Sequence, residues 1–185
     1  LSRGDLGEVA VTDAHSQAQE LVKIELLDGA RSILRRGSIH ELTVAGMAEE
    51  AGLARPTAYR YFSYPRDVVY AIAEATMRQF YARLNFDAVD FPAEYARQAV
   101  KEFTSDSAVN RQVILYAGVQ SLDGRWLPDD IHPETFLRNA GIVDHNFLVP
   151  LTYFRGAMFS WAAGFFTDEQ FAEETERALV MRNAE

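Results

Sequence analysis

Residues 43–62 read TVAGMAEEAGLARPTAYRYF, and the punctuation of this run decides the fold. Thr43 offers a side-chain oxygen as an N-cap, and Val44, Met47, Ala48 and Ala51 follow at i, i+3, i+4 and i+7, so a short helix with one buried stripe is expected. Gly52 breaks it, Leu53 can plug the core beneath the turn, and a second short helix is predicted from about Arg55 to Tyr61 with Pro56 in its first turn. Two short helices joined by a tight glycine turn make a helix-turn-helix. Its first helix braces, and its second must fit a DNA major groove about 12 Å wide. Ala54, Thr57 and Ala58 keep the second helix slim, while Arg55, Thr57, Tyr59, Arg60 and Tyr61 supply donors on its surface.

Working outward, an amphipathic helix is expected from about Gln19, with Leu21, Ile24, Leu27, Ala30, Ile33 and Leu34 at spacings of three and four. Gly37 follows the last apolar position and can close that helix in the left-handed conformation. Residues 1–18, rich in Gly, Ser, Asp and Ala without a helical stripe, read as a flexible tail. Downstream, Ser63, Pro65 and Asp67 start a longer helix carrying Val68, Ile72, Ala75 and Phe80 towards Leu84.

Beyond Asp90, Pro92 opens a helix to about Thr104, and Ser107 caps another with Val109, Val113, Tyr116 and Gln120 on its stripe. A loop containing Asp123, Gly124, Pro128, Asp129, Asp130 and Pro133 precedes a short helix near Glu134–Asn139. An apolar helix beginning near Pro150 carries Phe154, Met158, Trp161, Ala162 and Phe165, and Thr167 and Asp168 restart the chain into a final helix with Phe171, Thr175, Ala178 and Leu179. No strand-like alternation and no internal repeat is present, so the expected fold is all-α. The expected domains are an N-terminal three-helix domain with the helix-turn-helix over residues 19–64 and a helical ligand-sensing and dimerisation domain over 65–185.

A chain of 185 residues hides roughly 70% of its unfolded surface, enough for a core without disulfides or metals. Cysteine is absent, which excludes disulfides, thiolate metal sites and cysteine nucleophiles and fits a reducing compartment. No charged leader precedes an apolar run, and no stretch approaches the roughly 18 apolar residues of a membrane span, so a cytoplasmic protein without a membrane partner is expected. The net charge of -9 runs against DNA binding, where phosphate contacts need cations, but it is unevenly spread. From Arg31 to Arg83 eight arginines face five acids, a balance of +3, whereas from Asn85 onward eight basic residues face sixteen acids, a balance of -8.

The run from Thr43 to Phe62 resembles the DNA-binding domain of the TetR family: a threonine-led helix, A-G-L, then a short helix ending in Y-x-Y-F. The resemblance extends back through LLDGARSILRRG, residues 26–37, and forward into the helix after Pro65, covering about residues 20–84. It is looser in the C-terminal half, resting on Arg155-Gly156, Trp161-Ala162 and the closing helix pair. It implies that Thr43 and Tyr59 meet the phosphate backbone, that Arg55, Pro56 and Thr57 meet base edges, that Arg60 meets either, and that Ala48, Leu53 and Phe62 are core. The sequence departs from the family pattern at Ala54, where a polar cap is usual, and at Pro65, where a lysine is usual. Tyr64 and Arg66 are the candidates for the phosphate contact that the lysine would make.

The same resemblance implies a cavity among the later helices. Phe80, Phe103, Tyr116, Trp126 and Phe147 are the expected walls and Gln120 and Asp123 the polar anchors for a small apolar or aromatic effector. It also implies a homodimer on a near-palindromic operator in double-stranded DNA, joined through Phe154, Met158, Trp161, Ala162, Phe165, Phe171, Ala178 and Leu179 as a four-helix bundle. Each residue has a blander reading: Thr43 as a simple cap, Tyr59 and Tyr61 as packing, the apolar stripe as internal core. His15, His40, His132 and His145 lack helical ligand spacing, and no hydrolase elbow, zincin, P-loop or dinucleotide motif occurs, so neither a metal, a cofactor nor a catalytic residue is expected. The expectation is a ligand-responsive repressor. The alternatives are a helical ligand-binding protein or enzyme whose helix-turn-helix is only architectural, and a DNA-bound activator or architectural protein that senses nothing.

Overall fold

The computed structural model describes residues 3–120, 127–139 and 148–182. Over these the chain forms the helices α1 (Arg3–Arg36), α2 (Val44–Glu50), α3 (Arg55–Tyr61), α4 (Pro65–Ala82), α5 (Phe91–Thr104), α6 (Ser107–Gln120), α7 (Pro133–Asn139), α8 (Leu148–Ala162) and α9 (Asp168–Arg182), with a 3-10 turn at Ile39–Glu41 and no strand. The all-α expectation holds. The chain divides into two compact units, Leu1–Val68 and Val69–Glu185, with the division inside α4 and about a turn beyond the Pro65 start signal.

In the first unit α1 begins at Arg3 rather than near Gln19, so the segment read as a tail lies within a helix. No proline interrupts residues 3–36, and helix continuation needs only the absence of a breaker, not an apolar stripe. The buried face of α1 also differs from expectation: Leu26, Leu27, Ala30 and Leu34 are buried, while Leu21 and Ile24 are exposed. The reason is geometric. Residues 21, 24, 27, 30 and 33 recur every three positions, and each such step falls about 60° short of a full turn, so the series winds off any single face.

The α1 and α2 backbones meet at Gly29, where a Cβ would lie 2.7 Å from the Met47 carbonyl oxygen and 3.1 Å from the Ala51 nitrogen. Val44, Met47 and Ala48 face this contact and are buried. Outside it, Arg36 donates to both carboxylate oxygens of Glu50 at 2.9 and 2.6 Å, and Ser32 donates to the same group at 3.2 Å. Gly37 does not use the left-handed region; its N–H donates to the Ile33 carbonyl at 2.9 Å, and the Glu41 carboxylate occupies the space a Cβ would take.

In the second unit α8 packs on α9 and α6, and α5 on α9 and α6. Its centre is aromatic: Trp161 stacks on Phe171 with ring centroids 5.1 Å apart, and Phe80 meets Tyr95 edge-on at 5.0 Å. Gly164, at φ 85°, closes α8: its N–H donates to the Trp161 carbonyl and that of Phe165 to the Ser160 carbonyl. Asp168, at the start of α9, ties three helices together. It accepts from Trp161 Nε1 at 2.7 Å, Ser107 Oγ at 2.8 Å and Arg111 at 3.0 Å, while the Arg111 guanidinium lies 4.8 Å from the Trp161 ring centroid.

This packing corrects the expected interface stripe. Phe154, Trp161, Ala162, Phe171 and Ala178 are buried within the subunit, and Met158 and Leu179 are half-buried; Phe165 alone of the set is fully on the surface, 79% exposed. An apolar face that fills its own core is not available to a partner.

Two outcomes are expected. Gly29→Ala should destabilise the first unit by about 1–3 kcal/mol, since backbone rather than a flexible side chain must yield, as read by urea unfolding. Burial pushes the Asp168 carboxyl up, but the hydrogen bonds from Trp161, Ser107 and Arg111 and the Arg111 charge bring it below its ordinary value. A depressed folded-state pKa stabilises above the unfolded value, near 4, and this is lost as pH falls through the folded value. Tryptophan-detected unfolding should therefore weaken below about pH 4, and Asp168→Asn should flatten that acid limb.

Candidate nucleic-acid interface and cavity

The turn between α2 and α3 is fixed by backbone alone. Gly52 takes φ 66°, its N–H donates to the Glu49 carbonyl at 3.1 Å, and the Leu53 N–H reaches back to the Ala48 carbonyl at 2.8 Å. This paired closure is the Schellman motif, which turns the chain sharply while satisfying the last carbonyls of α2. Leu53 beneath it is half-buried rather than fully core, whereas Ala48 and Phe62 are buried as expected. Ala54 caps α3 without a side-chain hydrogen bond; Pro56 offsets this by removing one donor that would otherwise need a partner.

α3 rests on Ala58, which is fully buried, with Thr57 and Tyr61 half-buried at its flanks. Its opposite face, formed by Arg55, Pro56, Tyr59 and Arg60, is exposed, and Tyr59 is 54% accessible. Arg55 approaches Glu49 at 4.0 Å, a loose pair between exposed side chains that water and salt screen heavily. Arg60 makes no ion pair among the described residues.

Thr43 caps α2 by accepting from the Gly46 N–H at 2.9 Å. The cap uses a lone pair, so the hydroxyl proton of this exposed side chain can still be donated outward. At the start of α4, Asp67 accepts from the Tyr64 N–H at 2.9 Å. Tyr64 is 57% exposed, and the Arg66 guanidinium lies 4.8 Å from its ring centroid, so the two candidates for the lysine contact form one exposed cation–aromatic pair. Thr43, Arg55, Pro56, Tyr59, Arg60, Tyr64 and Arg66 are thus all on the surface, and Thr57 partly so.

The second unit holds a cavity of about 300 Å³, walled by α4, α5, α6 and α8 and by His132 and Pro133. Of the expected ligand residues, Phe103 lines it. Phe80 is buried behind the wall among Tyr81, Tyr95 and Phe103, and Tyr116, half-buried, packs at 6.2 Å from Tyr70 instead of facing the cavity. Asp123, Trp126 and Phe147 lie outside the described residues, as does the side chain of Gln120. Residues not anticipated complete the lining: Met77, Tyr95, Asn110, His132, Leu151 and Arg155, together with Phe154 and Met158, which were expected at the dimer interface. A signal existed for two of them, since Asn110 interrupts the apolar stripe of α6 and Arg155 is the only charged residue of α8.

Among the described residues no three potential ligands gather to hold a metal ion, and no helix is long and apolar enough to cross a membrane. An all-α chain that presents a helix-turn-helix at its surface belongs to the class of DNA-binding transcription regulators. Residues 26–65 match the family described as bacterial regulatory proteins, tetR family, and the chain is a regulator of that family. The fold agrees with solved structures. The crystal structure of a TetR transcriptional regulator from Rhodococcus sp. RHA1 is similar with a TM-score of 0.64 at 17% identity, over 91% of this chain and 99% of that one. Thermus thermophilus FadR, a TetR family transcriptional repressor in complex with lauroyl-CoA, is similar with a TM-score of 0.51 at 19% identity, over 87% and 93%. No curated protein matches the sequence.

Because Thr43 caps α2 directly, Thr43→Ala should cost about 1 kcal/mol of stability. Thr43→Ser should retain most of it in the same thermal-denaturation series.

Proposed function

We propose that this regulator is a sequence-specific repressor that reads a near-palindromic operator as a homodimer and leaves it when a small molecule fills the cavity. The observation that carries this reading is the outward face of α3, a narrow helix whose exposed side chains are long donors and whose backing is a single buried alanine. Arg55 and Thr57 would meet base edges with Pro56 beside them, Thr43 and Tyr59 would hold the phosphate backbone, and Arg60 would serve either. Proline at position 65 has no side-chain donor, so Arg66, set on Tyr64, would bind the neighbouring phosphate in its place.

One α3 reads too few base pairs for useful specificity, so a two-fold pair is required, with reading helices about 34 Å apart. The packing supports a different interface stripe from the one the sequence suggested. Val149, Thr152, Gly156, Phe159 and Ala163 are exposed on α8 at alternating steps of three and four, with Phe165 beyond them. Gly156 is telling because nothing in its own chain lies within 4 Å of a Cβ placed there. Glycine within a helix costs roughly 0.5–1 kcal/mol against alanine, and close approach of a second subunit gives a reason to keep it.

Effector release follows by linkage. A ligand that favours a subunit arrangement with the wrong helix spacing weakens operator binding by its differential affinity for the two arrangements, commonly about 1–3 kcal/mol. The lauroyl-CoA bound to Thermus thermophilus FadR is a precedent for a small molecule held by this fold.

Titrating operator and scrambled DNA at one fixed salt concentration tests the contacts. Arg55→Ala and Thr57→Ala should weaken operator binding more than scrambled binding, by about 1–3 kcal/mol each, whereas Tyr59→Phe should lower both. Equal losses on the two DNAs for Arg55→Ala would remove the base-contact role. Gly156→Arg should leave the subunit folded yet shift sedimentation from dimer to monomer; an unchanged dimer would move the interface elsewhere.

A further inference from the structure

The cavity in the second unit carries a polar group that the fold leaves unused. Tyr95 is more than nine-tenths buried and lines the cavity, yet its hydroxyl makes no hydrogen bond among the described residues. The neighbouring Tyr81 shows the usual arrangement, donating to the Ile131 carbonyl at 3.1 Å. A buried hydroxyl without a partner costs free energy, and such a group facing a cavity is set for a ligand atom.

Asn110 is already committed: its amide nitrogen donates to the carbonyls of Glu102 and Phe103 at 3.2 and 2.9 Å. The other polar side chains on the lining are the hydroxyls of Thr76 and Tyr95, the ring of His132 and the guanidinium of Arg155. No aspartate or glutamate is among the described lining residues. Burial pushes the Tyr95 phenol far above its ordinary range and the Arg155 charge opposes that rise, so the cation lies close enough to act on the hydroxyl. Tyr81 is raised by burial and by Tyr95, and is opposed by Arg155 in the same way.

The rest of the wall is apolar, from Met77, Phe103, Val113, Leu151 and Phe154. The volume lies at the lower end of the roughly 300–1,000 Å³ typical of small-molecule sites. An anion enters such a space only if a cation and donors replace its water, and a guanidinium matches the two oxygens of a carboxylate.

We infer that the cavity takes a small apolar molecule bearing one carboxylate, with the carboxylate held by Arg155 and Tyr95 and the apolar body laid against Phe103, Met77 and Phe154. This inference rests on the proposed function in treating the cavity as the effector site.

The probes are matched pairs, decanoate against 1-decanol and 4-phenylbutyrate against 4-phenyl-1-butanol, titrated calorimetrically into the intact protein. At least one carboxylate should bind about tenfold or more tightly than its alcohol, the factor a charge-assisted hydrogen bond supplies. Arg155→Gln should abolish that preference while leaving the alcohol's affinity unchanged, Arg155→Lys should keep part of it, and Tyr95→Phe should weaken the carboxylate severalfold. Equal affinities within both pairs, a preference that survives Arg155→Gln, or no binding of any probe to the folded protein would each overturn the inference. Operator release separates it from the reading on which it rests. Release by acid and alcohol alike would sink the carboxylate and keep effector sensing; an Arg155-dependent preference with unchanged operator affinity would do the reverse.

Discussion

The direction of α3 depends on the left-handed glycine at position 52. With φ at 66°, Gly52 lets the chain fold back so that Leu53 and Gly52 satisfy the last carbonyls of α2, and α3 leaves the turn with Ala58 against the core. A residue with a Cβ would be strained there whatever the surrounding space, because the conflict is with its own backbone. Everything proposed for DNA reading, from Arg55 through Arg60, inherits its outward direction from that turn. The close approach of α1 and α2 at Gly29 holds the turn's base in place.

Charge is arranged so that an acidic chain can still meet phosphate. Arg36 and Arg78 are engaged by Glu50 and by Glu74 and Asp130 within their own units. On the outward side of the helix-turn-helix, Arg55 holds only a long, exposed pair with Glu49 and Arg66 rests on an aromatic ring. Weak, solvated pairing of this sort is readily exchanged for phosphate, since exposed ion pairs contribute little.

The second unit is organised around aromatic packing with two polar insertions of different kinds. Asp168 is saturated by Trp161, Ser107 and Arg111, and so fixes α6, α8 and α9 relative to each other. Tyr95 is not saturated, and it borders the cavity. A satisfied buried network rigidifies a fold, whereas an unsatisfied one marks where something else is accommodated.

The sequence by itself determined the local events: the Thr43 cap, the Gly52 reversal, the Pro56 helix start, and the existence and order of most helices. Each depends on interactions within a few residues, and the family resemblance rested on those same positions. It misjudged α1, where steps of three looked like a face but wind around the helix, and Gly37, whose conformational freedom went unused. Only the tertiary structure decided which side of α8 turns inward, that Phe154 and Met158 border the cavity while Val149, Gly156 and Phe159 reach the surface, and that Tyr95 and Arg155 face the same space. A helix apolar around most of its circumference, as α8 is, carries no periodic signal to choose its buried side; that choice is made by the neighbours that pack against it.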